Sequence, residues 1–421
     1  MVKGANNKLI LFYYGILLLV LAFRTSESMP NIMVRLIYLV LFFAPIITKY
    51  KYLFLPTLIC FFTVGTYGFA YSYFPYMMWV YCIISLLAFI ISTNDISYIK
   101  VSPLVIFIIL YVSCVNLVSS GNIQDLGYSI MTTSISSLII GPNIRQNKAL
   151  LLNAFSIISI TLSIIYLINY ESFIETYNVI DEVERSGWTD PNYFSCVIGM
   201  GVISSLVQLM IDDNRDKILR ACRIIVVVIS FIVQLLLASR GGLLSTLIAA
   251  SVIFIYSKIN SKYKVLILFS TVILCVLLYL NGYFDLLIYR VENDTDGSGR
   301  LVIWHNKLLA FGRDCNILQW FFGVGYEASF QLASTGKGVG FHNDFLAVLC
   351  NYGLVGFAIF IYMLFVYPIK YMTRVSRPVV LALVVYLALS CMTLEPISAG
   401  RITYIVFFYL ILLCAKDRRI I

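Results

Sequence analysis

Charged residues are scarce in this chain: Asp, Glu, Lys and Arg make up 12% of its 421 residues, whereas hydrophobic residues make up 61%. A soluble domain averages about 25% charged residues, and no soluble fold could bury so much apolar surface. Apolar runs near the length of a membrane-crossing helix recur along the whole chain. The composition therefore excludes an ordinary soluble protein and predicts an all-α polytopic membrane protein.

Histidine and patterned cysteine are also scarce. The chain has 2 histidines and 10 cysteines, and the cysteines form no CxxC pair. All but Cys315 fall in or beside apolar segments, so we interpret them as packing residues and expect no disulfide framework. The acidic run at 292–296 has no His or Cys beside it. We therefore expect neither a metal site nor a cofactor.

Long apolar runs, separated by polar breaks, organise the chain into about 12 to 14 transmembrane helices. We interpret residues 1–421 as a single integral membrane domain. The candidate spans lie near 9–23, 33–48, 52–73, 76–92, 101–119, 128–141, 150–168, 192–211, 224–238, 241–257, 265–280, 344–368, 379–392 and 402–415. The shortest, 128–141 and 379–392, are tilted, re-entrant or wrongly divided. The first run is interpreted as a retained helix and not as a cleaved signal peptide.

The basic residues predict the orientation of these spans. When successive loops are assigned to alternate sides, one side receives 20 of the 30 basic residues and the other receives 16 of the 21 acidic ones. Lys and Arg are retained on the cytoplasmic side of a membrane. We therefore expect a multi-pass protein of the cell inner membrane with both termini in the cytoplasm. The net charge of +9 reflects this topology and not a nucleic-acid partner.

Two loops on the outer side are long enough to carry a site: residues 169–191, and a large periplasmic loop at 281–341. In the large loop, residues 301–311 read as a short amphipathic helix that lies on the bilayer surface. Trp304 suits the membrane interface. Arg300 would then stand in the first turn of that helix, where backbone N–H groups can also bind a phosphate.

Arginine dominates the outward basic residues, and guanidinium groups suit phosphate oxygens. Arg240 is the most informative, because residues 239–242 interrupt an apolar run with almost no loop. An arginine in hydrocarbon costs a few kcal/mol, so Arg240 should face a wet cavity or a partner; the alternative is snorkelling at a helix end. With Arg300, Arg290 and Arg401, it forms our candidate set for binding an anionic substrate.

His342 stands where the large loop returns to the membrane. An imidazole is the side chain best suited to accept a proton near neutral pH, so His342 is the candidate catalytic base. The alternative for a lone loop histidine is an ordinary surface hydrogen bond. Asn343 and Trp304 complete the candidate substrate-binding residues.

Taken together, these motifs resemble the bacterial O-antigen polymerase and O-antigen ligase superfamily. The resemblance covers roughly residues 190–370. The matching residues are Ser239, Arg240 and Gly241 at a helix start; Gly299 and Arg300 with Trp304; His342, Asn343, Phe345 and Leu346; and the glycine-containing stretch 351–356. Asp190, Pro191 and Asn192 also look like a segment of the polymerases.

The resemblance implies a glycosyltransferase that needs no metal. In such a protein the arginines, here Arg240 and Arg300, engage the diphosphate of an undecaprenyl-linked glycan, and the histidine, here His342, serves as base. The expected partners are undecaprenyl-diphosphate-linked oligosaccharides as donor and acceptor, membrane lipids and a chain-length regulator protein. The active site would face the periplasm.

Three functions remain open from the sequence. A polymerase joins lipid-linked repeat units, and this is the favoured reading. A ligase transfers the finished glycan to lipid A-core. A lipid-linked oligosaccharide flippase would suit about fourteen spans, but it would carry charges within its helices and would not need the large loop.

Overall fold

The computed structural model describes residues 59–60, 63, 103–120, 148–170, 190–211, 217–237, 239–257, 261–280, 282, 288, 299–333, 339–374, 376–397 and 401–416. The predicted spans near 9–23, 33–48, 76–92 and 128–141 lie outside the described residues, as do most of 52–73 and most of the loop 169–191. Arg290 also lies outside them.

The described residues form α-helices and one π-helical turn, and no strand is found among them. In chain order the α-helices are α1 Pro103–Ser120, α2 Lys148–Ile168, α3 Pro191–Ile211, α4 Lys217–Leu236, α5 Arg240–Tyr256, α6 Ser261–Leu280, α7 Arg300–Asp314, α8 Ile317–Phe322, α9 Tyr326–Gln331, α10 Asp344–Ile361, α11 Tyr367–Tyr371, α12 Arg377–Thr393 and α13 Ile402–Lys416. The π-helical turn, Tyr362–Val366, joins α10 to α11. The predicted all-α fold is confirmed.

Several of these helices are long and apolar enough to cross a membrane. Within the described residues, length and composition alone select 4: Lys148–Ile168, Pro191–Met210, Lys217–Leu236 and Asp344–Tyr371. Shorter apolar helices are Leu110–Ser119, Arg240–Tyr256, Arg377–Thr393 and Thr403–Ala415. Each coincides with a predicted span, including the short span at 379–392. The prediction of a polytopic membrane protein is therefore confirmed.

One compact unit comprises residues 1–98, 144–209 and 213–234. In its described part, α2, α3 and α4 meet through small and hydroxyl-bearing side chains. Ser159 donates its hydroxyl to the carbonyl of Ile198 at 2.7 Å and lies 2.8 Å from the hydroxyl of Ser230. Small residues and shared hydrogen bonds are the usual means of helix association in a bilayer, where burial of apolar surface supplies little.

The other unit comprises residues 99–143, 210–212 and 235–421 and contains every described candidate site residue. Within it, α5 packs along α12, which also contacts α10 and α13. Helix α10 is interrupted at Gly353, where φ is 61°; this left-handed conformation suits glycine.

The interruption at Gly353 exposes main-chain carbonyls of α10 to a neighbouring segment. The N–H groups of Val324 and Gly325 donate to the carbonyls of Cys350 and Asn351, both at 2.9 Å. These bonds fasten the connection between α8 and α9 to the side of α10.

The predicted amphipathic helix at 301–311 is confirmed as a helix, α7, and the described part of the large loop also contains α8 and α9. A small hydrophobic core joins these helices to the start of α10. Its buried members are Phe311, Val324, Phe341, Ala347 and Cys350. This core holds α7 against the segment that contains His342.

Candidate functional site

Arg240 is the first residue of α5, and its position is set by close packing at the next residue. A Cβ atom on Gly241 would come within 2.8 Å of three side-chain atoms of Thr393. Only glycine allows this approach. The start of α5 therefore lies directly beside the end of α12. Ser239, which precedes the helix, makes no side-chain cap hydrogen bond.

Arg300 is the first residue of α7, and it therefore lies in the first turn of the helix, as the sequence predicted. Its Nη1 donates to the main-chain carbonyl of Thr393 at 3.0 Å. That carbonyl belongs to the last turn of α12, whose carbonyls have no partner within the helix. The residue before α7, Gly299, has no side chain with which to cap the helix. Arg300 thus ties the start of α7 to the end of α12.

His342 and Asn343 lead into α10. The side-chain oxygen of Asn343 accepts from the N–H groups of Phe345 and Leu346 at 2.9 and 3.2 Å, which makes Asn343 the N-cap of α10. His342 is half-buried, with a φ of 51°. A left-handed conformation is uncommon outside glycine, although histidine adopts it more readily than most residues.

The start of α10 is also attached to the segment that follows α12. The N–H of Asp344 donates to the carbonyl of Leu394 at 2.9 Å. In return, the Asp344 carboxylate accepts from the N–H of Ile397 at 2.9 Å. Asp344 is fully buried, so this pair of bonds fixes the register between the two segments.

Three helix starts, preceded by Ser239, Gly299 and Asn343, therefore meet the end of α12 at Thr393 and Leu394. Each helix N-terminus carries a partial positive charge. With two guanidinium groups added, this arrangement suits an anion with several oxygen atoms, and phosphate is the usual ligand of such a site.

Phe341, which directly precedes His342, makes three contacts with distant residues. Its carbonyl accepts from the indole N–H of Trp304 at 2.6 Å, and its N–H donates to the carboxylate of Glu395 at 3.0 Å. The ammonium of Lys307 lies 4.5 Å from the centre of its ring, a cation–π distance. The backbone beside His342 is thus held in one place.

Like Asp344, the charged residues Glu395 and Lys307 are buried in this scaffold, with exposed fractions of 6% and 3%. Burial raises the pKa of Glu395 to about 7, while the Phe341 N–H, Lys307 and Arg401 oppose this shift. Burial lowers the pKa of Lys307, and Glu395 opposes that shift. The Lys307 ammonium donates to the carbonyls of residues 329 and 330, at 2.7 and 3.2 Å. A carboxyl group with a pKa near 7 can exchange a proton at neutral pH.

The structure thus brings the segments of Arg240, Arg300 and His342 to one place. The last predicted anion-binding residue, Arg401, precedes α13 and is close enough to Glu395 to lower the pKa of its carboxyl group. Among the described residues, no group of three or more His, Cys, Asp and Glu side chains is arranged to hold a metal ion.

Sequence reasoning missed Thr393, Glu395 and the structural role of Lys307. One signal for Glu395 is present in the sequence, since it is the sole carboxylate between Asp344 and Asp417. A single carboxylate in so long an apolar region is energetically costly, which marks it as a candidate for a structural or functional role.

Residues 225–361 match the family model described as O-antigen ligase. The match supports a place for this stretch in the O-antigen ligase and polymerase superfamily. This match confirms the resemblance drawn from the motifs. It covers about a third of the chain and includes Arg240, Arg300, Trp304, His342 and Asn343.

Members of this superfamily are glycosyltransferase-like enzymes, so the match supports an O-antigen ligase or polymerase type of activity. The match does not extend to Thr393, Glu395 or Arg401. Their association with the domain comes from the geometry alone. No curated protein matches the chain.

Proposed function

We propose that this protein is a polymerase of O-antigen or of a related surface polysaccharide, which joins undecaprenyl-diphosphate-linked repeat units. The observation that carries the proposal is the meeting of three helix N-termini, with Arg240 and Arg300 at two of them and His342 beside the third. Such a site suits a diphosphate. The O-antigen ligase family match supports glycosyl transfer as the chemistry.

In the proposed reaction, His342 accepts the proton of a sugar hydroxyl on the acceptor. The hydroxyl oxygen forms a bond to the anomeric carbon of the donor glycan. The bond between that carbon and the diphosphate oxygen breaks, and undecaprenyl diphosphate leaves with the bonding electrons. Direct displacement inverts the anomeric configuration. Base catalysis of this kind contributes about 10²- to 10⁴-fold to a rate.

Arg240 and Arg300 stabilise the negative charge that grows on the departing diphosphate, so the proposed reaction needs no metal ion. Arg290 and Arg401 are assigned to the same anionic substrate. Trp304 and Asn343 are assigned to the glycan. Asn343 directly follows His342 in the chain, and Trp304 donates to the carbonyl of the residue before it.

The proposed site faces the periplasm of a cell inner-membrane protein with both termini in the cytoplasm. The sorting of basic residues to one side of the predicted topology supports this orientation. The proposed partners are lipid-linked donor and acceptor oligosaccharides, the surrounding lipids and a chain-length regulator protein.

A ligase is the second candidate, because the matched family model carries that description. We prefer the polymerase because the set of motifs, including Asp190, Pro191 and Asn192, resembles the polymerases more closely. Both reactions use the same donor. They differ in the acceptor, which is a second lipid-linked repeat unit for the polymerase and lipid A-core for the ligase.

The deciding experiment supplies the purified protein in lipid vesicles with lipid-linked repeat units alone, and then with lipid A-core added. Elongation without lipid A-core supports the polymerase. Transfer that requires lipid A-core replaces it with the ligase. If neither reaction occurs but labelled donor crosses the bilayer, the protein is a flippase and the glycosyltransferase proposal is wrong.

A further inference from the structure

Helix α8 presents a cluster of apolar side chains that the other described segments cover only in part. Five of its 6 residues are apolar, and none of the 6 is buried. The exposed fractions are 73% for Ile317, 65% for Leu318, 37% for Trp320, 47% for Phe321 and 47% for Phe322. A cluster of large exposed apolar side chains marks a surface made for a partner or a membrane.

This surface is held in a defined shape. Asn316 and Gln319 form a reciprocal capping box at the start of α8, with both bonds at 3.0 Å. The ring of Trp320 lies 5.1 Å from that of Phe311 in the buried core. The apolar side chains are therefore presented outward by a fixed helix and not by a loose loop.

The contacts with α10 give the depth of α8 relative to the membrane. The backbone of Phe321 lies against Gly353, where any Cβ atom would overlap it. Gly353 is nine residues beyond Asp344, the first residue of α10, which corresponds to about 14 Å along a helix axis. Since α10 belongs to a candidate membrane span and the hydrocarbon layer is about 30 Å thick, the end of α8 lies well below the start of that span.

Helix α1 gives a second, independent measure. The hydroxyl of Tyr111 lies 3.4 Å from the carbonyl of Phe322. Tyr111 is nine residues before Ser120, the last residue of α1, again about 14 Å. A few residues later the chain lies closer to the Ser120 end of α1, since the N–H of Tyr326 donates to the Asn116 side chain at 3.0 Å. The segment from α8 to α9 therefore descends and returns.

We propose that α8 is a re-entrant wedge that inserts into the hydrocarbon of the bilayer leaflet on the His342 side, with lipid acyl chains as its partner. Arg313 and Asp314, both exposed at the end of α7, form the polar edge from which the wedge enters. Part of the large loop predicted at 281–341 is then inside the membrane. This proposal does not depend on the reaction that the protein catalyses.

Fluorescence quenching by lipids tests the wedge directly. The chain contains Trp79, Trp188, Trp304 and Trp320. One variant replaces all but Trp320 with phenylalanine, and its matched control retains only Trp304. Both are reconstituted in phosphatidylcholine vesicles whose acyl chains carry bromine atoms, either near the headgroup or near the chain middle. Aqueous iodide is the opposing quencher, and fluorescence is measured rather than glycosyl transfer.

We expect acyl-chain bromines to quench Trp320 at least about twofold more strongly than Trp304, and iodide to quench Trp320 less than Trp304. Stronger quenching of Trp320 by iodide would overturn the proposal, because α8 would then face water. Protection of Trp320 from both quenchers would also overturn it, because protein would then cover the wedge.

A second measurement uses the unaltered chain, in case the tryptophan variants fold poorly. A phospholipid with a photoactivated carbene precursor deep in its acyl chain is incorporated into the same vesicles, and labelled peptides are mapped by mass spectrometry. Label on residues 317–322 supports the wedge. Label on α10 and α13 without label on residues 317–322 contradicts it.

Discussion

The indole N–H of Trp304 donates to the main-chain carbonyl of Phe341 at 2.6 Å, immediately before His342 in the chain. A residue predicted to bind substrate therefore also fixes the backbone that carries the candidate base. The carboxylate of Glu395 also accepts the N–H of Phe341. The position of the imidazole thus depends on α7 and on the segment after α12.

Trp304→Phe should lower the rate of transfer about tenfold, because the ring remains but the hydrogen bond to Phe341 is lost and the imidazole is less well positioned. The unpaired carbonyl costs about 1–3 kcal/mol of stability. The rate with lipid-linked donor and the midpoint of thermal unfolding are measured. Trp320→Phe is the matched control, and it should keep the wild-type rate. An unchanged rate in Trp304→Phe would show that the bond does not matter for transfer.

His342→Asn should abolish detectable transfer, a loss of about 10²-fold or more, while the protein remains folded. Asparagine tolerates the left-handed backbone at this position, where φ is 51°. The imidazole is therefore removed without added backbone strain. His342→Ala should be equally inactive and slightly less stable. Transfer is assayed at saturating donor, and a wild-type rate in His342→Asn would dismiss His342 as the base.

Arg240→Lys and Arg300→Lys should each raise the KM for lipid-linked donor about tenfold or more, because an ammonium does not reproduce the planar donor fork of a guanidinium. The KM is measured by titrating donor at fixed acceptor. Arg313→Lys is the matched control, since Arg313 is exposed at the far end of α7. A similar KM in all three variants would refute the assignment of the diphosphate to these arginines.

Glu395→Gln should remove part of the pH dependence of stability. Burial raises the pKa of Glu395 from 4.5 to about 7, so the folded state favours the protonated carboxyl group. The associated stability is fully present below about pH 4.5 and is lost as the pH rises through 7, about 3 kcal/mol in total.

Glutamine imitates the protonated acid and can still accept the N–H of Phe341. The variant should therefore lose less stability than the wild type as the pH rises from about 4.5 through 7. Thermal unfolding in detergent near pH 5 and near pH 8 measures the difference. Glu327→Gln, at an exposed site on α9, is the control. Parallel pH profiles for Glu395→Gln and the wild type would contradict the raised pKa.

Gly353→Ala should destabilise the protein by about 1–3 kcal/mol or more, because alanine disfavours a φ of 61° and its Cβ would overlap the backbone of Phe321. Gly312→Ala is the matched control within α7, where the nearest atom to a new Cβ is 4.0 Å away. The control should be neutral or slightly stabilising. Thermal unfolding separates them, and equal midpoints would mean that α10 does not require its interruption.

The helices of this protein were largely predictable, because long apolar runs have few alternative structures in a bilayer. The predicted spans at 150–168, 192–211 and 344–368 are confirmed within a few residues of their ends. Arg300 was correctly assigned to a helix start, since the apolar pattern of residues 301–311 is evident in the sequence alone.

The rest was not predictable because it depends on contacts between distant segments. The packing of Gly241 on Thr393 joins residues about 150 positions apart, and no local pattern encodes it. The run at 317–322 is too short to read as a span. Asn343 shows a different limit of sequence reasoning. It was selected as a substrate-binding residue, and its role as the N-cap of α10 became evident only in the structure.

Apart from Arg401, the end of α12 is the last part of the candidate site in the chain, whereas Arg240 appears more than a hundred and fifty residues earlier. During synthesis, α5, α7 and the start of α10 must therefore wait for residues 393–397 before their common anchor exists. Long-range closure of this kind is slow. Until α12 is inserted, Arg240, Arg300 and His342 have no common anchor in the nascent protein. The candidate site is therefore assembled only late in biosynthesis.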